Sequence, residues 1–371
     1  MMVIFSHLAL TFWPGTQAPF VIHGTYPQWE LTIFNSPLSF IYSGSLAVCI
    51  FFVMSGYVLS ASFWKTLDAR GITDLFARRY VRLMPPVLLS VIAGCLLLKT
   101  RMILAHAPDA PTWISWNYTL APRFADAFND GLWRAFLFDG ANIYNPVIWT
   151  MKYEFIGSMI TFSTCLIGAN MRRRGILYLV LSIALLTGVH MGIYYVLFIG
   201  GIWLADGHKK PHPPIANFAL GVAALWLGGY KDGSSWHVPL AWLHLSLNGN
   251  ATPAYNLCNA LGAFVIVMVV LQTESLAKCL TMLKELGRRS FSLYLIHFPI
   301  LATVGLMIYR EARQSVGDNF AGLIASSLVI IVSYVASGFY ATWIDDTAIK
   351  ASRRFAALVV QNRASGSSSD V

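Results

Sequence analysis

Ten apolar runs, separated by short polar or basic stretches, set the pattern of the chain. They cover residues 1–14, 38–61, 83–104, 146–168, 176–189, 192–205, 215–229, 254–273, 291–308 and 320–343. Crossing the hydrocarbon takes about 20 apolar residues as a helix. The pattern therefore predicts an all-α integral membrane protein, a bundle of about ten transmembrane helices. The run over 176–205 could form one long tilted helix. Two short helices turning at Val189-His190-Met191-Gly192 suit the flanking charges better, because they keep two basic clusters on one side.

Those charges orient the bundle. Clusters at Lys65–Arg82, Arg172–Arg174, Lys209–Lys210, Lys278–Arg289 and Lys350–Arg363 hold 18 of the 26 Lys and Arg residues, and they follow alternate runs. Basic residues collect in cytoplasmic loops, so both termini are expected in the cytoplasm. The opposite loops carry Asn117-Tyr118-Thr119 and Asn250-Ala251-Thr252, which are N-glycosylation acceptor patterns. Glycosylation at Asn117 or Asn250, in an endomembrane or plasma-membrane glycoprotein, fits that orientation.

Composition changes the picture only by exclusion. With 56% hydrophobic and 12% charged residues among 371, the chain has too little polar surface for a soluble globule, which carries about 25% charged residues. The same numbers exclude disorder. The net charge of +9 reads as topology, with no nucleic-acid partner implied. Five cysteines, Cys49, Cys95, Cys165, Cys258 and Cys279, show no metal or disulfide spacing and read as small buried hydrophobes. The domain expectation is one transmembrane unit over 1–345 and a basic, disordered cytoplasmic tail over 346–371. No metal and no tightly bound cofactor are expected. The loops at 105–147 and 230–253 are rich in Trp and Tyr; they could stack an acceptor molecule or anchor the protein at the membrane interface.

Ionisable groups inside apolar runs are functional candidates. His7 is the one ionisable side chain of the first run. Lys152 and Glu154 lie two residues apart, about 200° around a helix, and face different ways. Arg79 and Arg82, three apart, share a helix face and could bind phosphate oxygens or simply anchor topology. Ser55-Gly56 is a small pair in a bulky run, suited to helix packing or to a ligand. His297 precedes Phe298-Pro299, where the helix should break or kink. Each histidine could equally be a hydrogen-bonding link between helices.

Taken in order, His7, FFVMSGY (51–57), RRYVRLMP (78–85), WTMKYEF (149–155) and SFSLYLIH (290–297) make the chain resemble the membrane acyltransferase 3 family over residues 1–343. That resemblance implies transfer of an acyl group, usually acetyl, from the co-substrate acyl-CoA to a hydroxyl of a glycan, lipid or small natural product. It also implies a membrane-lipid setting and a cytoplasmic donor. Carried over by position, His7 is the catalytic base and Glu154 a second catalytic residue. Arg79, Arg82, Ser55 and Gly56 lie toward the donor, with His297 and Lys152 as further site candidates. The family usually has an arginine about ten residues before the catalytic histidine, for which this sequence has no room, so the first helix reads as truncated. A proton-coupled transporter of a hydrophobic or acylated metabolite, or an inactive acyltransferase-like scaffold, is the alternative. The sequons and the lack of an appended soluble domain point toward a modifier in secondary-metabolite biosynthesis.

Overall fold

A computed structural model describes residues 1–17, 25–104, 111–118, 121–140, 143–207, 212–246 and 251–366. Every regular element among them is helical. The principal rods are α1 (Met2–Phe12), α2 (Gly44–Thr66), α3 (Ala69–Lys99), α4 (Thr150–Gly168), α5 (Arg174–Gly188) and α6 (Ile193–Asp206). They continue with α7 (Pro214–Gly228), α8 (Ala251–Gln272), α9 (Lys284–Ile300), α10 (Leu306–Tyr340) and α11 (Asp346–Gly366).

Local chemistry sets the boundaries. The Ser43 hydroxyl accepts from Leu46 N at the start of α2, and Leu67 ends that helix in a left-handed conformation (φ 52°). Asp68 then caps α3 by accepting from Arg70 N, which satisfies an amide the helix itself cannot. Helix α3 runs on through Pro85-Pro86. A turn at 189–192 separates α5 from α6, and the Arg174–Asp206 ion pair at 2.5 Å brings their far ends together. The two-helix reading of 176–205 is thus correct.

Among the described residues, four segments are long and apolar enough to cross a membrane: Gly44–Thr66, Ala69–Lys99, Pro253–Gln272 and Lys284–Leu358. Four more helices, α1, α5, α6 and α7, are apolar but shorter. The protein is an all-helical membrane protein. Within the Lys284–Leu358 run, α10 is two helices that meet at a kink at Gly317, whose φ of 78° suits a residue without a side chain. Of the break or kink expected at Pro299, the break is absent. The helix passes through it into a π-helical stretch, Leu301–Gly305, and the Thr303 hydroxyl donates to the Pro299 carbonyl at 2.7 Å; a wide turn of this kind absorbs a local misfit.

Two further expectations need correction. The segment 346–366 is not disordered: it is helical, and Ala348, Ser352 and Ala356 are buried. Four-residue spacing puts these small residues on one face, and the helix packs against α3. Of the five cysteines, Cys279 is exposed, while the other four are buried.

The two ends of the bundle differ. One end gathers the close of α2, the start of α3, the close of α4 and the α5–α6 ion pair, with Ile72, Phe63, Phe162 and Cys165 in a common cluster. The other end is a cap of short segments. There Glu30 accepts from Gly15 N (2.8 Å) and Ser39 donates to the Gly229 carbonyl (2.6 Å). Residues Thr112–Asn117 and Phe124–Leu137 fold into short helices, and two of the predicted loop aromatics, Trp113 and Tyr118, are buried in the core next to α1.

Candidate active site

Helix α1 lays His7 against α9. Nδ1 of His7 is 2.9 Å from Nε2 of His297, and the rings are nearly parallel at 11° with centroids 5.1 Å apart. Trp113 and the edge of Phe298, each with its centroid 5.4 Å from that of His7, complete the surround. The Trp113 indole donates to Thr11 (3.1 Å), whose hydroxyl donates to the His7 carbonyl (2.6 Å). That chain of bonds holds the ring-bearing turn of α1 in place.

The hydrogen bonds assign the protons. His297 Nδ1 faces the carbonyls of Tyr294 (2.8 Å) and Leu293 (3.2 Å). Carbonyl oxygens only accept, so this nitrogen carries the hydrogen and His297 Nε2 holds a lone pair. His7 Nδ1–H must then donate to it, which leaves the lone pair of His7 on Nε2. His7 is half-buried and His297 fully buried. The arrangement thus presents one oriented basic nitrogen, and the second imidazole fixes its tautomer.

One turn away lies a second polar centre. Arg79 of α3 is 8% exposed and donates from a terminal guanidinium nitrogen to Glu154 Oε1 and from Nε to Ser158 Oγ (2.8 Å). Ser55 of α2 donates to both Glu154 oxygens at 3.1–3.2 Å. The carboxylate is charge-paired and well supplied with donors, the condition for a buried ion pair to persist. Thr150 and Tyr294 join the two centres through a 2.8 Å hydroxyl–hydroxyl contact. Thr150 lies one turn before Glu154, and Tyr294 one turn before His297.

Beside the histidines is a cavity of about 260 Å³, lined by His297, Tyr294, Thr150, Met151, Ser290 and Phe51 among others, with the first turn of α1 along one wall. Of the two histidines only His297 lines it; His7, Arg79 and Arg82 do not. The open pair of guanidiniums expected from their spacing is therefore absent: Arg79 is neutralised internally, and Arg82, with a buried Nε that lacks a hydrogen-bond partner, lies within electrostatic reach of Asp345.

Of the remaining candidates, Lys152 pairs with Asp139 at 2.7 Å, facing away from Glu154 as the 200° separation requires. Gly56 is occupied by packing: a Cβ there would come 2.2 Å from the Phe198 carbonyl, and one on Gly201 of the facing helix 2.2 Å from the Val53 carbonyl. This mutual approach of α2 and α6 explains the glycine without a ligand. The Asn117 amide donates to the Trp113 carbonyl (2.7 Å); Asn250 lies outside the described residues. Sequence reasoning missed Thr150, Ser158 and Tyr294. All three sit three or four residues from a candidate, the spacing that shares a helix face, and that signal could have found them.

An oriented imidazole pair, with His297 lining a partly open cavity, is equipped for proton transfer to or from a small polar group. The acyltransferase-domain family profile matches residues 1–341, and the chain belongs to that family, the membrane acyltransferase 3 family. Its relatives include "Putative O-acetyltransferase SACOL0978" of Staphylococcus aureus (strain COL), 26% identical over an alignment covering 86% of this chain and 56% of the relative. "Acyltransferase clz18" of Cochliobolus lunatus is 26% identical over 84% of this chain and 81% of its own length. "O-acetyltransferase PaAT-1" of Phomopsis amygdali is 25% identical over 79% and 69% respectively. The chain spans little more than half the length of the Staphylococcus relatives it matches. No solved structure matches it. The relatives are named acyltransferases or O-acetyltransferases.

Proposed function

We propose that the protein transfers an acyl group, acetyl in the simplest case, from acyl-CoA to a hydroxyl of a glycan, lipid or small natural product, with His7 as general base. The observation that carries this reading is the hydrogen-bond chain from the Tyr294 carbonyl through His297 to His7, which leaves His7 Nε2 as the basic atom.

The acceptor hydroxyl gives its proton to His7 Nε2 while its oxygen attacks the thioester carbonyl. The resulting imidazolium keeps its Nδ1–H bond to the neutral His297, which stabilises the added charge. Collapse of the tetrahedral adduct breaks the carbon–sulfur bond, and the proton held on His7 passes to the departing CoA sulfur. The products are an ester and free CoA. A neutral hydroxyl is a poor nucleophile at pH 7, and a positioned base contributes about 10²–10⁴-fold. Arg82, with its unpartnered Nε, is the residue assigned to the phosphates of the donor. Arg79 and Glu154 hold α2, α3 and α4 together at the cavity's edge.

Membranes carrying the His7→Ala or His7→Gln protein, supplied with labelled acetyl-CoA and candidate hydroxyl acceptors, test the assignment. Transfer should fall by at least about 10²-fold in both. Wild-type rates in either variant would rule His7 out as the base.

A further inference from the structure

The foot of α5 carries a feature that acyl transfer leaves unused. Between α4 and α5, residues 169–175 border an open polar depression of about 590 Å³, lined by Asn170, Arg172, Arg173, Arg174 and Asp206. Arg174 is built into its wall: it pairs with Asp206 at 2.5 Å, donates from Nε to the Gly168 carbonyl at 3.1 Å and lies over the Trp64 ring at 4.5 Å. Tyr178 holds the other Asp206 oxygen at 2.8 Å. Arg172 and Arg173 are exposed, and neither forms an ion pair among the described residues. A Cβ placed on Gly175 meets nothing within 4 Å, so the depression is clear above the first turn of α5. With one of three arginines neutralised by Asp206, it retains two positive charges.

Directly along α5 from this depression runs an uncovered apolar face. Ile176, Leu179, Val180, Ile183 and Leu186 are each 52–61% exposed. Their three- and four-residue spacing puts them in a single stripe. In a membrane protein such a stripe faces hydrocarbon, and here it starts within a turn of two unpaired guanidiniums. The combination, apolar along the helix and doubly cationic at its foot, is complementary to one molecule class: a phospholipid with an anionic headgroup.

We infer that residues 170–174 form a binding site for an anionic phospholipid, whose phosphate sits between Arg172 and Arg173 while its acyl chains lie along α5. Guanidinium forks bind phosphate oxygens in a bidentate manner, which a choline lipid with no net charge exploits far less well. Basic residues near an anionic leaflet gain about 1 kcal/mol each, and that corresponds to about fivefold in affinity per arginine. The site stands apart from the histidine pair and does not depend on the acyltransferase reading.

The test is lipid binding by the full chain, purified in a neutral detergent and followed by thermal unfolding and by native mass spectrometry. Added dioleoyl phosphatidate should raise the unfolding temperature and give a retained lipid adduct, an effect that weakens at high salt. Dioleoyl phosphatidylcholine should do neither. The Arg172→Gln/Arg173→Gln protein should bind phosphatidate about 25-fold more weakly, and an Arg353→Gln/Arg354→Gln control, which removes two exposed arginines elsewhere, should bind like wild type. Equal effects of the two lipids, or full binding by the Arg172→Gln/Arg173→Gln protein, would overturn the proposal. So would a stabilisation reproduced by inorganic phosphate or glycerol 3-phosphate alone, since that would make the depression a site for soluble phosphoesters.

Discussion

Glu154 and His297 each lie one turn from the Thr150–Tyr294 hydrogen bond, yet the two polar centres they anchor are built to different ends. Around Glu154 the positive and negative groups meet: Arg79 faces the carboxylate, and Ser55 and Ser158 take up further bonding capacity. Around His297 every group is neutral in its resting form, and the chain of donors ends on a lone pair at His7 Nε2. The difference teaches how a membrane-buried protein can hold reactive polarity. A buried charge has to be matched or it destabilises the fold, whereas a neutral imidazole costs less to bury and still accepts a proton. Reactivity is therefore assigned to the histidines, and cohesion to the ion pair.

Substitutions should separate these roles. At the histidine centre His7→Ala removes the base and should have the largest effect, a loss of transfer of at least about 10²-fold, with an unfolding temperature in detergent close to wild type; parallel loss of stability would instead make His7 a structural link. At the ion pair, Arg79→Met leaves Glu154 buried without its partner and should cost about 3–5 kcal/mol of stability. Removing both charges, as Arg79→Met/Glu154→Leu, should recover most of that loss, because a buried pair is often replaceable by apolar side chains. If the double variant is no more stable than the single one, the pair contributes more than mutual neutralisation.

Outside the bundle core, Lys231 extends the comparison to a buried charge that forms no ion pair among the described residues. Its ammonium donates to Gln17 Oε1 and lies over the Tyr42 ring, 5.2 Å from the centroid, and burial lowers its pKa from 10.5 to about 7. Between those two values the unfolded chain holds a proton that the folded one lacks. Stability should therefore rise as pH increases from 7 to 10.5, by a few kcal/mol at about 1.4 kcal/mol per pKa unit, and level off below 7. Lys231→Met should remove that slope, as chemical or thermal unfolding across pH 6–10 can measure. The smallest effect belongs to Lys152→Ala. Its partner Asp139 is 64% exposed, and pairs of this kind contribute at most about 1 kcal/mol.

The helices were legible wherever burial in lipid demands a continuous apolar run, and even the split at 189–192 followed from charge placement. The tail was not, because the 346–366 helix packs against α3 and buries only small residues, Ala348, Ser352 and Ala356, among those whose burial is described, and small residues add little to a hydropathy pattern. The candidate residues were legible singly. His7, His297, Glu154 and Arg79 stand out as ionisable groups within or bordering apolar runs, but spacing joined Arg79 to Arg82, whereas the folded chain joins Arg79 to Glu154 across 75 positions. Gly56 could have served packing or a ligand, and only the 2.2 Å approach to the Phe198 carbonyl decides for packing.

Composition and the order of motifs were enough to establish a helical membrane protein of the acyltransferase 3 family, since both the cost of exposing polar backbone to hydrocarbon and the family pattern are written along one dimension. Which groups face one another across 290 positions, as His7 and His297 do, is decided by helix packing. Partner choice there depends on the rotation and depth of each helix, quantities that no local stretch of residues encodes.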